Sequence, residues 1–136
     1  WNGKINLYGF DKSQFPKLNV PKFFRKNIQI MGFVSDVEKL YNDVDAIIIP
    51  SIYEGMSTVM IEALSRNKTV YSKDVSGVKD LVLVTNRLKV FTNCVDLKHK
   101  IDTTTPHEPK VDRDVLAGMF DPSVHAENLL RLYKKL

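Results

Sequence analysis

Residues 45–64 read Asp45-Ala46-Ile47-Ile48-Ile49-Pro50-Ser51-Ile52-Tyr53-Glu54-Gly55-Met56-Ser57-Thr58-Val59-Met60-Ile61-Glu62-Ala63-Leu64, and this stretch decides the fold. The run Asp45–Ile49 is apolar on both faces, as expected for a central parallel strand, and Pro50-Ser51 closes it. A turn carrying Gly55 follows, then a helix from about Ser57 to Arg66 with Val59, Met60, Ala63 and Leu64 expected to face the sheet. In an open α/β sheet this strand–turn–helix junction lies at the carboxyl edge, where ligands bind. The opening turn of the helix presents backbone N–H groups without intrahelical partners, and the helix dipole adds positive potential there. Those donors favour an anion, most naturally a phosphate, and Gly55 lets the backbone approach it closely. The plainer alternative is that Ser57 or Thr58 caps the helix and Gly55 merely makes the turn.

Outward from this stretch, short apolar runs alternate with helical ones. Ile5–Tyr8 reads as a strand ending at Gly9, and Ile28–Met31 as a strand closed by Gly32. Ser35 or Asp36 caps a helix with Val37, Leu40, Tyr41 and Val44 on one face. Thr69–Ser72 and Leu88–Phe91 read as further strands, followed by helices over 95–101, 112–119 and 124–136. Residues 11–26 and 102–111 read as loops. Strand and helix alternating at this spacing predict an α/β, Rossmann-like, doubly wound and mostly parallel sheet with C-terminal helices.

The chain has 136 residues, enough for one domain, with 43% hydrophobic and 26% charged residues, which excludes wholesale disorder. Its net charge of +4 suits an anionic ligand or a membrane surface without demanding either. The single cysteine, Cys94, excludes an intrachain disulfide and fits a reducing compartment; it is expected to be a small buried apolar residue. The longest apolar runs, 46–49 and 81–84, fall far short of a membrane span. His99, His107 and His125 have no metal-ligand spacing and read as surface or loop residues. Lys12, Lys17, Lys22, Arg25 and Lys26, interleaved with Phe15, Phe23 and Phe24, read as a solvated loop packed on the sheet rather than a nucleic-acid surface.

Glu54 and Glu62 lie eight positions apart, one in the turn and one inside the helix. That spacing resembles the Glu-x7-Glu motif of retaining nucleotide-sugar glycosyltransferases of the GT-B fold, the glycogen-synthase-like and sucrose-synthase-like members of the group 1 glycosyltransferases. The resemblance extends upstream through IQIMGFVSDVEKLYNDVD and downstream through TVYSKDVSGVKDLV to the closing NLLRLYKKL. It implies the donor-binding half of a GT-B hexosyltransferase, moving a sugar from a nucleotide-diphosphate sugar, such as a UDP-sugar, to an acceptor hydroxyl. Glu62 would accept from the ribose hydroxyls and Glu54 would lie beside the donor sugar as the catalytic carboxylate. Gly55, Met56 and the backbone amides of Ser57, Thr58 and Val59 would hold the donor's distal phosphate, and the turn Gly32-Phe33-Val34 would lie against the base. The nucleotide sugar would be a co-substrate, with neither cofactor nor metal expected.

Asn67 and Thr69 stand where this family usually has Gly and Pro, and Asn67 can take the same left-handed cap. Ser76-Gly77 replaces a Gly pair and Asp80 a Glu. At the amino end nothing matches the family's opening strand or its phosphate-binding Arg and Lys. The resemblance therefore implies a fragment: residues 1–136 as one nucleotide-sugar-binding domain without its first strand and without the N-terminal acceptor domain. The missing strand would be the centre of the sheet, unless Lys4–Tyr8 takes that place by a rearranged topology. Little transferase activity is expected of these residues alone. The parent protein would be cytoplasmic, with peripheral membrane association compatible with the family. The alternative function is a catalytically silent binding or assembly domain of the same ancestry. A receiver-type signalling domain would need an Asp ending the central strand, where this chain has Pro50-Ser51.

Overall fold

The computed structural model describes residues 3–9, 11, 13, 25–105 and 109–134. The chain divides into two units, residues 1–43 and 44–136. The basic, phenylalanine-rich loop reading falls almost wholly outside the described residues, as does His107.

In the first unit, strands β1 (Ile5–Tyr8) and β2 (Ile28–Gly32) pair in parallel, Ile5 opposite Ile28 and Leu7 opposite Ile30. The register slips between Leu7 and Tyr8. Asn27 fixes the start of the ladder: its carbonyl accepts from Ile5 N at 2.8 Å and its Nδ2 donates to Gly3 O at 2.9 Å. At the other end Gly32 has φ +74°, a left-handed conformation that glycine adopts without cost, and its carbonyl accepts from Gly9 N. Helix α1 (Val37–Asn42) is capped by Asp36, whose carboxylate accepts from Lys39 N at 3.0 Å, and Tyr41 is its buried residue.

The second unit carries the parallel sheet β3–β4–β5: Ala46–Ile49, Thr69–Lys73 and Leu88–Phe91. Helices α2 (Thr58–Ser65), α3 (Val78–Val82), α4 (Cys94–Thr103), α5 (Arg113–Phe120) and α6 (Pro122–Tyr133) complete it. The α/β class, the parallel ladders and the C-terminal helices are consistent with a Rossmann-like fold. The expected single sheet is, however, two sheets. Among the described residues β1 ladders with β2 in the first unit, and β3 with β4 and β4 with β5 in the second.

The middle strand is also not the expected one. β3 lies at an edge of its sheet, and Ile48 is 40% exposed, whereas β4 has a ladder on each side and is buried from Thr69 to Ser72. The apolar run of β3 therefore exceeds what its sheet covers. On α2 the buried residues are Met60, Ala63 and Leu64, while Val59 is 44% exposed. At about 100° per residue, Val59 lies roughly a quarter turn from the centre of the face those three define. Helix α3 takes the first half of the second apolar run, burying Leu81 together with Val78 and leaving Leu83, just beyond the helix, in solvent.

Two caps shape the end of the chain. Asn67, after α2, has φ +57°, the left-handed cap its replacement of glycine predicts. Its Oδ1 accepts from Val111 N at 2.9 Å, and its carbonyl from Arg87 Nη1 at 2.8 Å. Arg87 Nε also donates to Pro109 O, so one side chain ties the α2 cap to the chain ahead of α5. At α4, Asn93 Oδ1 accepts from Val95 N and Asp96 N, while Asp96 Oδ2 accepts from Thr92 N at 2.9 Å. This arrangement leaves Cys94 exposed in the first turn of a helix that has no buried residue, rather than buried as expected. His99 and His125 are exposed, as expected.

The Thr92 backbone N–H holds the Asp96 carboxyl below its usual value of 3.8, and Lys100, 3.5 Å away, pulls in the same direction. A carboxyl depressed by folding stabilises the fold above its unfolded pKa, and that contribution disappears as pH falls through the lower folded value. Acidification from about pH 5 to about pH 2 should therefore loosen the first turn of α4. The measurement is the Thr92 amide resonance: a position that does not move over this range contradicts the expectation. Among the described residues no helix is long and apolar enough to cross a membrane.

Candidate functional site

The carboxyl edge of the three-stranded sheet collects the chemistry. β3 ends at Ile49, and residues 50–57 carry the chain to the start of α2. Ser57 is the N-cap residue, 9% exposed and with the extended backbone that role requires, yet its hydroxyl makes no capping hydrogen bond. The first intrahelical bonds are Met60 N and Ile61 N to Ser57 O, so the helix ladder does not use the amides of Ser57 and Thr58. The first turn carries no acidic residue to offset the helix dipole. The simple capping alternative is therefore not realised by the Ser57 side chain.

Glu54, ahead of this turn, is partly buried. Its Oε2 is shielded from solvent and has no hydrogen-bond partner among the described residues. An orphaned acceptor of this kind costs about 1–3 kcal/mol, and each one in a folded protein calls for an explanation, a functional role among them. Glu62 is half-buried, one and a half turns into α2, and its backbone carbonyl accepts from Ser65 Oγ at 2.9 Å and Arg66 Nη1 at 3.1 Å. Met56, Thr58 and Val59 are exposed at the same edge. Thus Glu54, Gly55, Met56, Ser57, Thr58, Val59 and Glu62 occur on one continuous strand–turn–helix segment. Gly32 ends β2 in the other unit, and Phe33 and Val34 follow it, Phe33 exposed and Val34 half-buried.

Sequence reading missed what braces this turn. Ser76 Oγ donates to Glu54 O at 3.0 Å. Gly77 lies so close that a Cβ placed on it would stand 1.9 Å from Gly55 O and 3.0 Å from Met56 Cα. The Ser76-Gly77 pair was visible as a departure from the family pattern, but its contact with residues 22 positions away was not. Lys73, at the carboxyl end of β4, donates to Thr92 O and lies 5.4 Å from the Phe91 ring centre, directed along β5. A pocket of about 250 Å³ lined by Leu83, Asn86, Pro109 and Lys110 lies before β5, at the opposite edge.

Residues 4–102 match the family model described as "Glycosyl transferases group 1". The chain belongs to the group 1 glycosyltransferases. Sugar transfer is the chemistry of this family. The chain is also 32% identical over 60 residues, 43% of its length, to an uncharacterized glycosyltransferase of Methanocaldococcus jannaschii, and that match spans 15% of the archaeal protein. The matched region of the glycosyltransferase model includes β1 through most of α4, and so all ten candidate site residues.

Proposed function

We propose that this chain is the donor-binding part of a retaining GT-B glycosyltransferase, acting on a nucleotide-diphosphate sugar and an acceptor hydroxyl. The observation that carries the reading is the orphaned Glu54 Oε2 beside a helix start that its own N-cap side chain leaves uncapped. A buried carboxylate oxygen calls for a hydroxyl donor, and a row of backbone amides at a helix start calls for an anion. A nucleotide-diphosphate sugar supplies both.

In this reading Glu62 accepts from the ribose hydroxyls, and Glu54 accepts from the donor sugar and faces its developing positive charge. The α2 amides meet the charge on the distal phosphate as the bond from the anomeric carbon to phosphate oxygen breaks. The new bond forms to the acceptor oxygen on the same face of the sugar, and the proton of the acceptor hydroxyl passes to the departing phosphate oxygen. Fixed dipoles of this kind stabilise a leaving group without reorganising during reaction. The acceptor would be bound by an N-terminal domain of the parent protein. No metal is required by this scheme. The single cysteine supports a cytoplasmic setting.

Calorimetric titration with uridine and guanosine diphosphates tests the reading. Binding by the wild-type chain should weaken by about 1–3 kcal/mol in Glu62→Ala, the value of a hydrogen bond to a charged acceptor. Equal affinity in the two proteins would remove Glu62 from the donor site.

A further inference from the structure

The contacts of Ser76 and Gly77 fall on one side of the Glu54–Met56 turn. Ser76 Oγ donates to the carbonyl of Glu54, and the carbonyl oxygen of Gly55 stands over the Cα of Gly77. Both carbonyls therefore face the loop between β4 and α3. In a trans peptide the C=O and N–H of one plane point in opposite directions, and the chain has no cis peptide among its described residues. The N–H of Gly55 shares a plane with the first of these carbonyls, and the N–H of Met56 with the second. Both amides are consequently turned away from the loop, next in line before Ser57 and Thr58.

We infer that Ser76 and Gly77 are positioning residues that hold the carbonyl side of this turn, so that the Gly55 and Met56 amides extend the α2 donor row toward the donor phosphate. The inference rests on the nucleotide-sugar reading above. Gly77 provides the close approach and Ser76 the directional bond. The serine hydroxyl donates the hydrogen bond that fixes the first peptide plane, and a glycine at position 76 has no group to do so. Neither residue touches the nucleotide; each acts through the backbone it holds.

The test is a titration of the ¹⁵N-labelled full chain with uridine diphosphate, followed at the Gly55, Met56, Ser57 and Thr58 amides. In Ser76→Ala the affinity should fall about threefold to tenfold, as for one lost neutral hydrogen bond. The nucleotide-induced shifts of Gly55 and Met56 should shrink relative to those of Ser57 and Thr58. Ser76→Thr, which keeps the hydroxyl, should restore both. A merely structural role would weaken binding without changing the ratio between the two pairs of amides. An unchanged ratio in Ser76→Ala overturns the inference while leaving the nucleotide reading intact. A wild-type chain whose amides do not respond to uridine diphosphate overturns the reading itself, and the inference with it.

Discussion

Gly77→Ala is expected to destabilise the second unit by about 3 kcal/mol, the upper part of the usual range for overpacking. The sign comes from one contact. Gly77 has φ −76° and ψ −7°, a right-handed conformation that alanine adopts readily. On backbone grounds alone, alanine would stabilise by about 0.4–1 kcal/mol through the unfolded state. The added Cβ would instead sit 1.9 Å from Gly55 O, which is backbone and has no rotamer with which to move aside. Gly118 on α5 provides the control, because a Cβ there meets nothing within 4 Å. Gly118→Ala should stabilise by about 0.5–1 kcal/mol, the ordinary gain for an exposed helical position. Urea unfolding of both variants gives the comparison. A Gly77→Ala chain as stable as wild type would mean that the two loops separate at little cost.

The second large effect is expected at Asn67. Asn67→Ala combines two losses: a left-handed backbone without a side chain that tolerates it, and a Val111 N–H without its acceptor. Together these amount to about 2–3 kcal/mol. Asn67→Gly restores the backbone freedom but not the acceptor, so it should cost about 1 kcal/mol. The difference between the two variants in urea unfolding isolates the conformational part. Equal losses would assign the whole effect to the hydrogen bond with Val111.

How much of this was legible in the sequence depends on the range of each interaction. The strand at Ala46–Ile49, the helix start at Ser57 and the helix beyond it follow from local pattern and are present, although the Ser57 hydroxyl makes no capping bond. Asn67 was equally legible, because a helix ending just before a strand needs a residue that accepts positive φ. The buried face of α2 was legible apart from Val59, which lies at its margin. Helix α3 was not legible as an element, since five residues leave no room for a helical period to repeat. Cys94 was misplaced because its residue type argues for burial, while its position after the Asn93 cap puts it in solvent. The β3 run suggested a central strand from its apolarity alone, but neighbours decide sheet order, and β4 holds the middle. The brace between Ser76-Gly77 and Glu54-Gly55 is the extreme case: it joins two loops through one hydroxyl and one missing methyl, and neither leaves a periodic trace.

The cap that turns Cys94 outward also gives the chain a spectroscopic handle. With one sulfhydryl in 136 residues, exposed where β5 passes into α4, a thiol-directed fluorophore or spin label attaches at one defined place without prior removal of other cysteines. That place shares the carboxyl edge of the sheet with the turn at Glu54, each just beyond the end of a parallel strand. A label at Cys94 can therefore report on events at that edge while every residue assigned to the nucleotide sugar keeps its native side chain.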